Sequence, residues 1–125
     1  MSETKSKTPA PTEINFHQKS RELEIAFDDG SRFHFSSEFL RVHSPSAEVR
    51  GHAPGEETLQ IGKENVNIES MEPVGSYAIK IAFTDGHDTG IFSWDLFYDY
   101  GHRQEKMWQD YLHQLEDAGH ERKLN

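Results

Sequence analysis

Histidine is the main chemical resource of this chain, which carries eight histidines and no cysteine in 125 residues. Iron oxygenases built on two histidines and one carboxylate often start from His-x-Asp or His-x-Glu. No histidine here has an acidic residue two places on. The His-Glu-x-x-His pattern of zinc hydrolases is missing as well. His113 and Glu116 are spaced His-x-x-Glu in an acidic, helix-forming stretch, where one such pair reads as a solvated face. Ser44 and Ser46 lie next to His43. A serine nucleophile needs a positioned base and an oxyanion hole, and no Gly-x-Ser-x-Gly elbow is present. Beside Pro45 the plainer role of both serines is to hydrogen-bond turn backbone. Gly51, Gly55 and Gly62 are too scattered to form a phosphate-binding loop. Without cysteine, this chain alone makes no disulfide, thiolate nucleophile or thiolate-ligated metal.

What stands out instead is a polar stretch from Leu40 to His52 containing Arg41, His43, Ser44, Ser46, Glu48, Arg50 and His52. Asp85-Gly86-His87-Asp88 forms a second polar cluster. In structural terms, Arg41 and Glu48 would be an ion pair and His87 a half-buried hairpin histidine. In functional terms, Arg41, His43, Ser44, Ser46, Glu48, Arg50, His52, Asp85 and His87 would make one binding patch with no catalytic set.

The elements that must position these residues can be read from periodicity. Leu23 to Phe27 alternates with period two, Asp28-Asp29-Gly30 follows, and Arg32 to Phe35 returns. A three-residue loop puts Leu23 and Phe35, and Ile25 and Phe33, on one face, with Gly30 left-handed. Tyr77 to Phe83 is the clearest strand, turning at Thr84-Asp85-Gly86 into His87 to Phe92. The same loop would pair Ile79 with Ile91 and Phe83 with His87. Further strands are expected at 58–61 and 66–71, with Pro73 ending the second or marking an edge. Ser36 to Val42 reads as a short helix capped by serine. A second helix should run from near Ser93 to about Ala118, broken around Gly101 and stopped by Gly119. It would carry Trp108, Tyr111, Leu112 and Leu115 on one stripe. Trp94 and Trp108 are expected in the core. Beyond the two similar turns no internal repeat is visible. The expected class is α+β: two layers, a mostly antiparallel sheet of two hairpins plus further strands, a C-terminal helix and a short helix near 36–42.

Composition limits the partners. The formal net charge is −9 and the isoelectric point about 5.3, with no basic stripe. Nucleic-acid affinity rests on clustered Lys and Arg, so neither DNA nor RNA is an expected partner, nor is an anionic membrane. No apolar run approaches the roughly 20 residues of a span, and no signal-peptide core opens the chain, so the cytoplasm is expected. Residues 1–12 read as a disordered tail, residues 13–119 as one domain and residues 120–125 as a C-terminal tail.

Three blocks resemble a known family. They are Leu40 to His52, Pro73-Val-Gly-Ser-Tyr-Ala78, and Phe83-Thr-Asp-Gly-His-Asp-Thr-Gly-Ile-Phe-Ser-Trp94. Together they are similar to the gamma-butyrobetaine hydroxylase-like N-terminal domain, the DUF971 family, across residues 14 to 119. Trp108-Gln-Asp-Tyr-Leu112 is similar to its bacterial stand-alone members. In the hydroxylases this domain precedes a 2-oxoglutarate, iron-dependent oxygenase domain that holds the active site. Nothing in these 125 residues is long enough to supply that second domain. The resemblance also implies a zinc site of three cysteines and one histidine. The cysteine positions fall on Ser44, Ser46 and Val49 and the histidine near His87. Hydroxyls and a valine do not replace thiolates, so no cofactor is expected; a residual metal site would have to use His43, His52, His87 and Asp85. The resemblance places the 44–49 loop against the 85–88 turn. Similar domains fused to iron–sulfur carrier ATPases imply an accessory role in cluster delivery or docking. The expected function is therefore a binding or accessory module for a protein partner. The alternatives are a metal-binding protein or a subunit acting on a separate oxygenase.

Overall fold

The computed structural model describes residues 8–46 and 59–124. Six strands and two helices form in the order β1 (Pro11–His17), β2 (Glu22–Phe27), β3 (Arg32–Ser36), α1 (Ser37–Val42), β4 (Ile68–Val74), β5 (Ala78–Phe83), β6 (Gly90–Ser93) and α2 (Trp94–Asp117). The class is α+β, as expected, with the strands divided into two antiparallel sheets ordered β1-β2-β3 and β4-β5-β6. Each sheet is a three-stranded meander that runs directly into a helix. The plan β-β-β-α therefore occurs twice, a repeat that the sequence discloses only through its two related turns. Ser36 and Ser93 cap the two helices, each side-chain oxygen accepting from the amide three residues on.

The first hairpin has the expected register, with Leu23 opposite Phe35 and Ile25 opposite Phe33, and Gly30 at φ 91°. In the second, Phe83 N–H donates to the His87 carbonyl at 2.8 Å and Gly86 sits at φ 92°. Beyond that turn the expected register fails: Ile79 faces Phe92 rather than Ile91, and Ile81 faces Gly90. One residue, Ala82, separates Phe83 from Ile81, whereas two, Asp88 and Thr89, separate His87 from Gly90, and this extra residue shifts the returning strand by one. A one-residue shift exchanges faces. Phe92 is accordingly fully buried and Ile91 is 44% exposed.

Three other expectations are corrected. Residues 59–61 form no strand; residue 58 lies outside the described residues. Pro11 and Thr12, read as part of the opening tail, belong to β1, which pairs with β2 through Ile14–Ile25 and Phe16–Leu23. Helix α2 passes through Gly101 without a break. A Cβ at Gly101 would collide with the Phe33 ring, so glycine is there to let the helix approach β3. Pro73 lies inside β4, which is an edge strand.

One core joins the two halves. Leu23, Ile25, Phe27 and Phe35 of the first sheet meet Ile79, Ile81, Phe83 and Phe92 of the second, with Phe39 and Leu40 of α1 and Phe97 and Tyr100 of α2. Burying each large side chain contributes about 1.5–3 kcal/mol. Val42, Tyr111 and Leu115 form a satellite cluster with Leu59, Trp108 and Leu112, the expected helical stripe. Trp94 and Trp108 are partly buried and pack against the core. No helix of the described residues is long and apolar enough to cross a membrane.

Candidate functional site

The end of α1 and the β5–β6 turn meet at one polar corner. Helix α1 is only six residues long and would not persist alone in water. Burial of Phe39 and Leu40 holds it in place. Its last turn carries Arg41, whose side chain is 9% exposed and whose Nε donates to Asp85 Oδ2 at 2.8 Å. Lys63 Nζ donates to the same oxygen at 2.8 Å, while the other carboxylate oxygen accepts the His87 backbone N–H at 3.2 Å. Burial works against the ionised Asp85. The Lys63 ammonium, the His87 amide and the Arg41 guanidinium outweigh it and hold the carboxyl at about 2.

Ser44, fully buried, lies 3.0 Å from His87 Nε2 through its Oγ. Ser46 Oγ is also 3.0 Å from that nitrogen and 2.8 Å from Thr89 Oγ1. Burial, assisted by the Arg41 charge, holds the His87 imidazole below its usual range. The ring nitrogen and the two serine hydroxyls thus share hydrogen bonds whose donor is set by the tautomer of the ring. Gly90 belongs to the same packing, because a Cβ there would run into the Ser44 hydroxyl.

The serine–histidine contact resembles part of a hydrolase triad but lacks its wiring. Asp85 bonds the His87 backbone, not its ring, and Ser44 is enclosed, so no acyl group reaches it. His43 turns elsewhere. Its Nδ1 is 3.0 Å from the Phe39 carbonyl, and its ring packs on Phe39, Tyr100 and Tyr111. Burial lowers its proton affinity too. Tyr100 Oη donates to the His43 carbonyl at 2.7 Å and Tyr111 Oη to the Gln60 carbonyl at 2.6 Å, fixing the corner to α2.

The structure thus unites Arg41, Ser44, Ser46, Asp85 and His87, and separates the ring of His43 from them. Glu48, Arg50 and His52 lie outside the described residues, as does Val49. The expected Arg41–Glu48 ion pair thus falls outside the described residues; among them Arg41 pairs with Asp85, a contact that sequence reading did not anticipate. Lys63, Gln60 and Thr89 are further partners that no motif announced; only Thr89 had a signal, its place in the third block. His113 and Glu116 are exposed on α2. Among the described residues no group of three or more His, Asp or Glu side chains is arranged to hold a metal ion. One imidazole and two hydroxyls are a poor donor set for zinc, so the described residues of the corner do not by themselves fit the metal that the resemblance implies.

The family profile described as gamma-butyrobetaine hydroxylase-like, N-terminal, matches residues 14–98, from β1 into α2. The chain belongs to this family. Two relatives have NMR solution structures. One is 48% identical, with a TM-score of 0.80 over 98% of this chain and 91% of the other. The second is 43% identical, with a TM-score of 0.79 over 93% and 91%. A crystal structure of a DUF971 family protein of unknown function from Acidithiobacillus ferrooxidans ATCC 23270 is 37% identical, with a TM-score of 0.57 over 70% of this chain and 86% of that one. No curated protein matches the chain. Two of the three blocks that carry the resemblance, Leu40 to His52 and Phe83 to Trp94, supply the two segments of the corner.

Proposed function

We propose that this gamma-butyrobetaine hydroxylase-like domain is a non-catalytic binding or accessory module. Its partner-facing patch is built on the corner between residues 41–52 and 85–88. The observation that carries this reading is the junction itself. Two segments more than forty residues apart are locked by Arg41–Asp85 at 2.8 Å and by Ser44 and Ser46 on His87 at 3.0 Å. Arg41 and Ser44 are buried, so they build the base. Contact with a partner falls to Ser46, Asp88 and Thr89, joined by Glu48, Arg50 and His52 of the polar sequence stretch that lies outside the described residues. Loops held on a rigid support are common sites of recognition. The partner classes supplied by the family resemblance are an iron–sulfur carrier and a separate oxygenase.

Affinity capture at native expression level tests the reading. The triple variant Glu48→Ala, Arg50→Ala, His52→Ala should stay folded and lose a partner that the unaltered chain retains. Capture unchanged by the three substitutions would contradict the proposal. Turnover of substrate by the isolated chain, or about one equivalent of tightly held zinc or iron, would favour the metal-dependent alternative instead.

A further inference from the structure

A second buried charge lies at the other end of α1, away from the corner. Glu38, in the first turn, is 6% exposed. Its carboxylate accepts Arg122 Nε at 2.9 Å and Nη2 at 2.5 Å. The guanidinium carbon lies 5.3 Å from the centre of the Trp108 ring. A forked pair beside an aromatic face is a guanidinium seat: the planar ion meets both carboxylate oxygens and the ring at once.

Arg122 reaches this seat on a strap. Gly119 turns left-handed at φ 76°, and the amides of Gly119 and His120 close the helix end on the Glu116 and Leu115 carbonyls. The chain then crosses to the 64–65 loop. There Lys123 N–H donates to Glu64 Oε2 at 2.9 Å, and Asn65 Nδ2 donates to the Lys123 carbonyl at 2.8 Å. Around the seat is a groove of about 640 Å³, walled by Phe39, Gly101 and Trp108 and edged by Glu22, Glu105, His34 and His102. Three carboxylates, Glu22, Glu38 and Glu105, line the groove against one guanidinium, an excess of two acidic side chains.

We propose that this groove is a docking site for an arginine-bearing basic segment of a partner protein, and that Arg122 is its resident, displaceable occupant. The seat fits a guanidinium because it already holds one. The uncompensated carboxylates favour further positive charge along the groove. The strap competes from within the same chain, so it raises the partner concentration needed for entry. This site is independent of the corner at His87 and stands whether or not that corner binds anything.

The test uses the full chain with Arg122→Ala, titrated with a capped arginine-rich tripeptide and with a lysine tripeptide as control. Two quantities are followed: the Trp108 indole N–H resonance and the thermal midpoint. The variant should show a saturable shift at Trp108 and a rise in midpoint with the arginine peptide, at about tenfold lower concentration than the unaltered chain. The lysine peptide should act more weakly, and adding Glu38→Gln should abolish the response. If the alanine chain does not fold, Arg122→Lys keeps a charge beside Glu38, and the same order of responses is expected. Equal responses in variant and unaltered chain, or no response in the variant, would overturn the proposal.

Discussion

His87 shows most directly how burial and charge set the chemistry of the corner. Burial and the Arg41 charge hold its proton affinity below the usual range, against the weaker pull of Asp85 and Asp88. The native state therefore binds a proton at His87 less readily than the unfolded chain. Stability from this group is present above the unfolded value near 6.5 and is lost as the pH falls through the lower native one. An NMR titration of the ring should give a midpoint below 6.5; one at or above that value would contradict the account. Asp85 behaves in the same direction at lower pH. Its native value of about 2, against 3.8 unfolded, gives stability that is present above 3.8 and lost between 3.8 and about 2. The shift corresponds to about 2 kcal/mol. Arg41→Ala removes the more buried partner and should cost about 2–4 kcal/mol at neutral pH, measured by urea unfolding. It should also flatten the acid limb of the stability curve. None of these pairings was legible from local spacing. Asp85 lies far along the chain from Arg41, and the nearer Glu48 was the natural candidate. The approach of Ser44 and Ser46 to His87 came from the resemblance, not from periodicity.

At the scale of elements, the sequence was most readable where one face is strictly apolar. Leu23, Ile25, Phe33 and Phe35 left a single register for the first hairpin, and it formed. The second hairpin misled because Ile79 and Ile91 satisfy the alternation equally well, while the extra residue at Asp88–Thr89 leaves no mark in hydrophobicity. Substitution tests the slip. Phe92→Ala should cost about 3–5 kcal/mol, while Ile91→Ala on the outer face should stay within about 1 kcal/mol. Thermal unfolding of the two variants checks this, and a reversed order would restore the simple register. Strand β1 was missed because Ile14 and Phe16 are its only large apolar residues, and their value appears only once β2 is beside them. Gly101 was read as a break because glycine is unfavourable in a helix by about 1 kcal/mol. Tertiary packing reverses that preference: Gly101→Ala would press on the Phe33 ring and should destabilise the protein by about 1–3 kcal/mol despite the better helix former.

For the molecule as a whole, the α+β class and the family were readable before any coordinates. The division into two sheets was not. Pairing across 59–68 depends on where the chain returns after a long polar stretch, and that stretch has no periodicity. The repeated β-β-β-α plan puts α1 between the corner at Arg41 and the groove at Glu38, so one short helix supports two separate surfaces. The corner is a hydrogen-bonded network in which Ser44 and Ser46 hydroxyls meet His87 Nε2, the support on which the proposed recognition patch rests. The most direct measurement is the metal content of untagged protein purified from its native host without chelator, compared with its His87→Ala variant. The account predicts well below one equivalent of zinc or iron in each chain. About one equivalent in the unaltered protein, lost on His87→Ala, would contradict it.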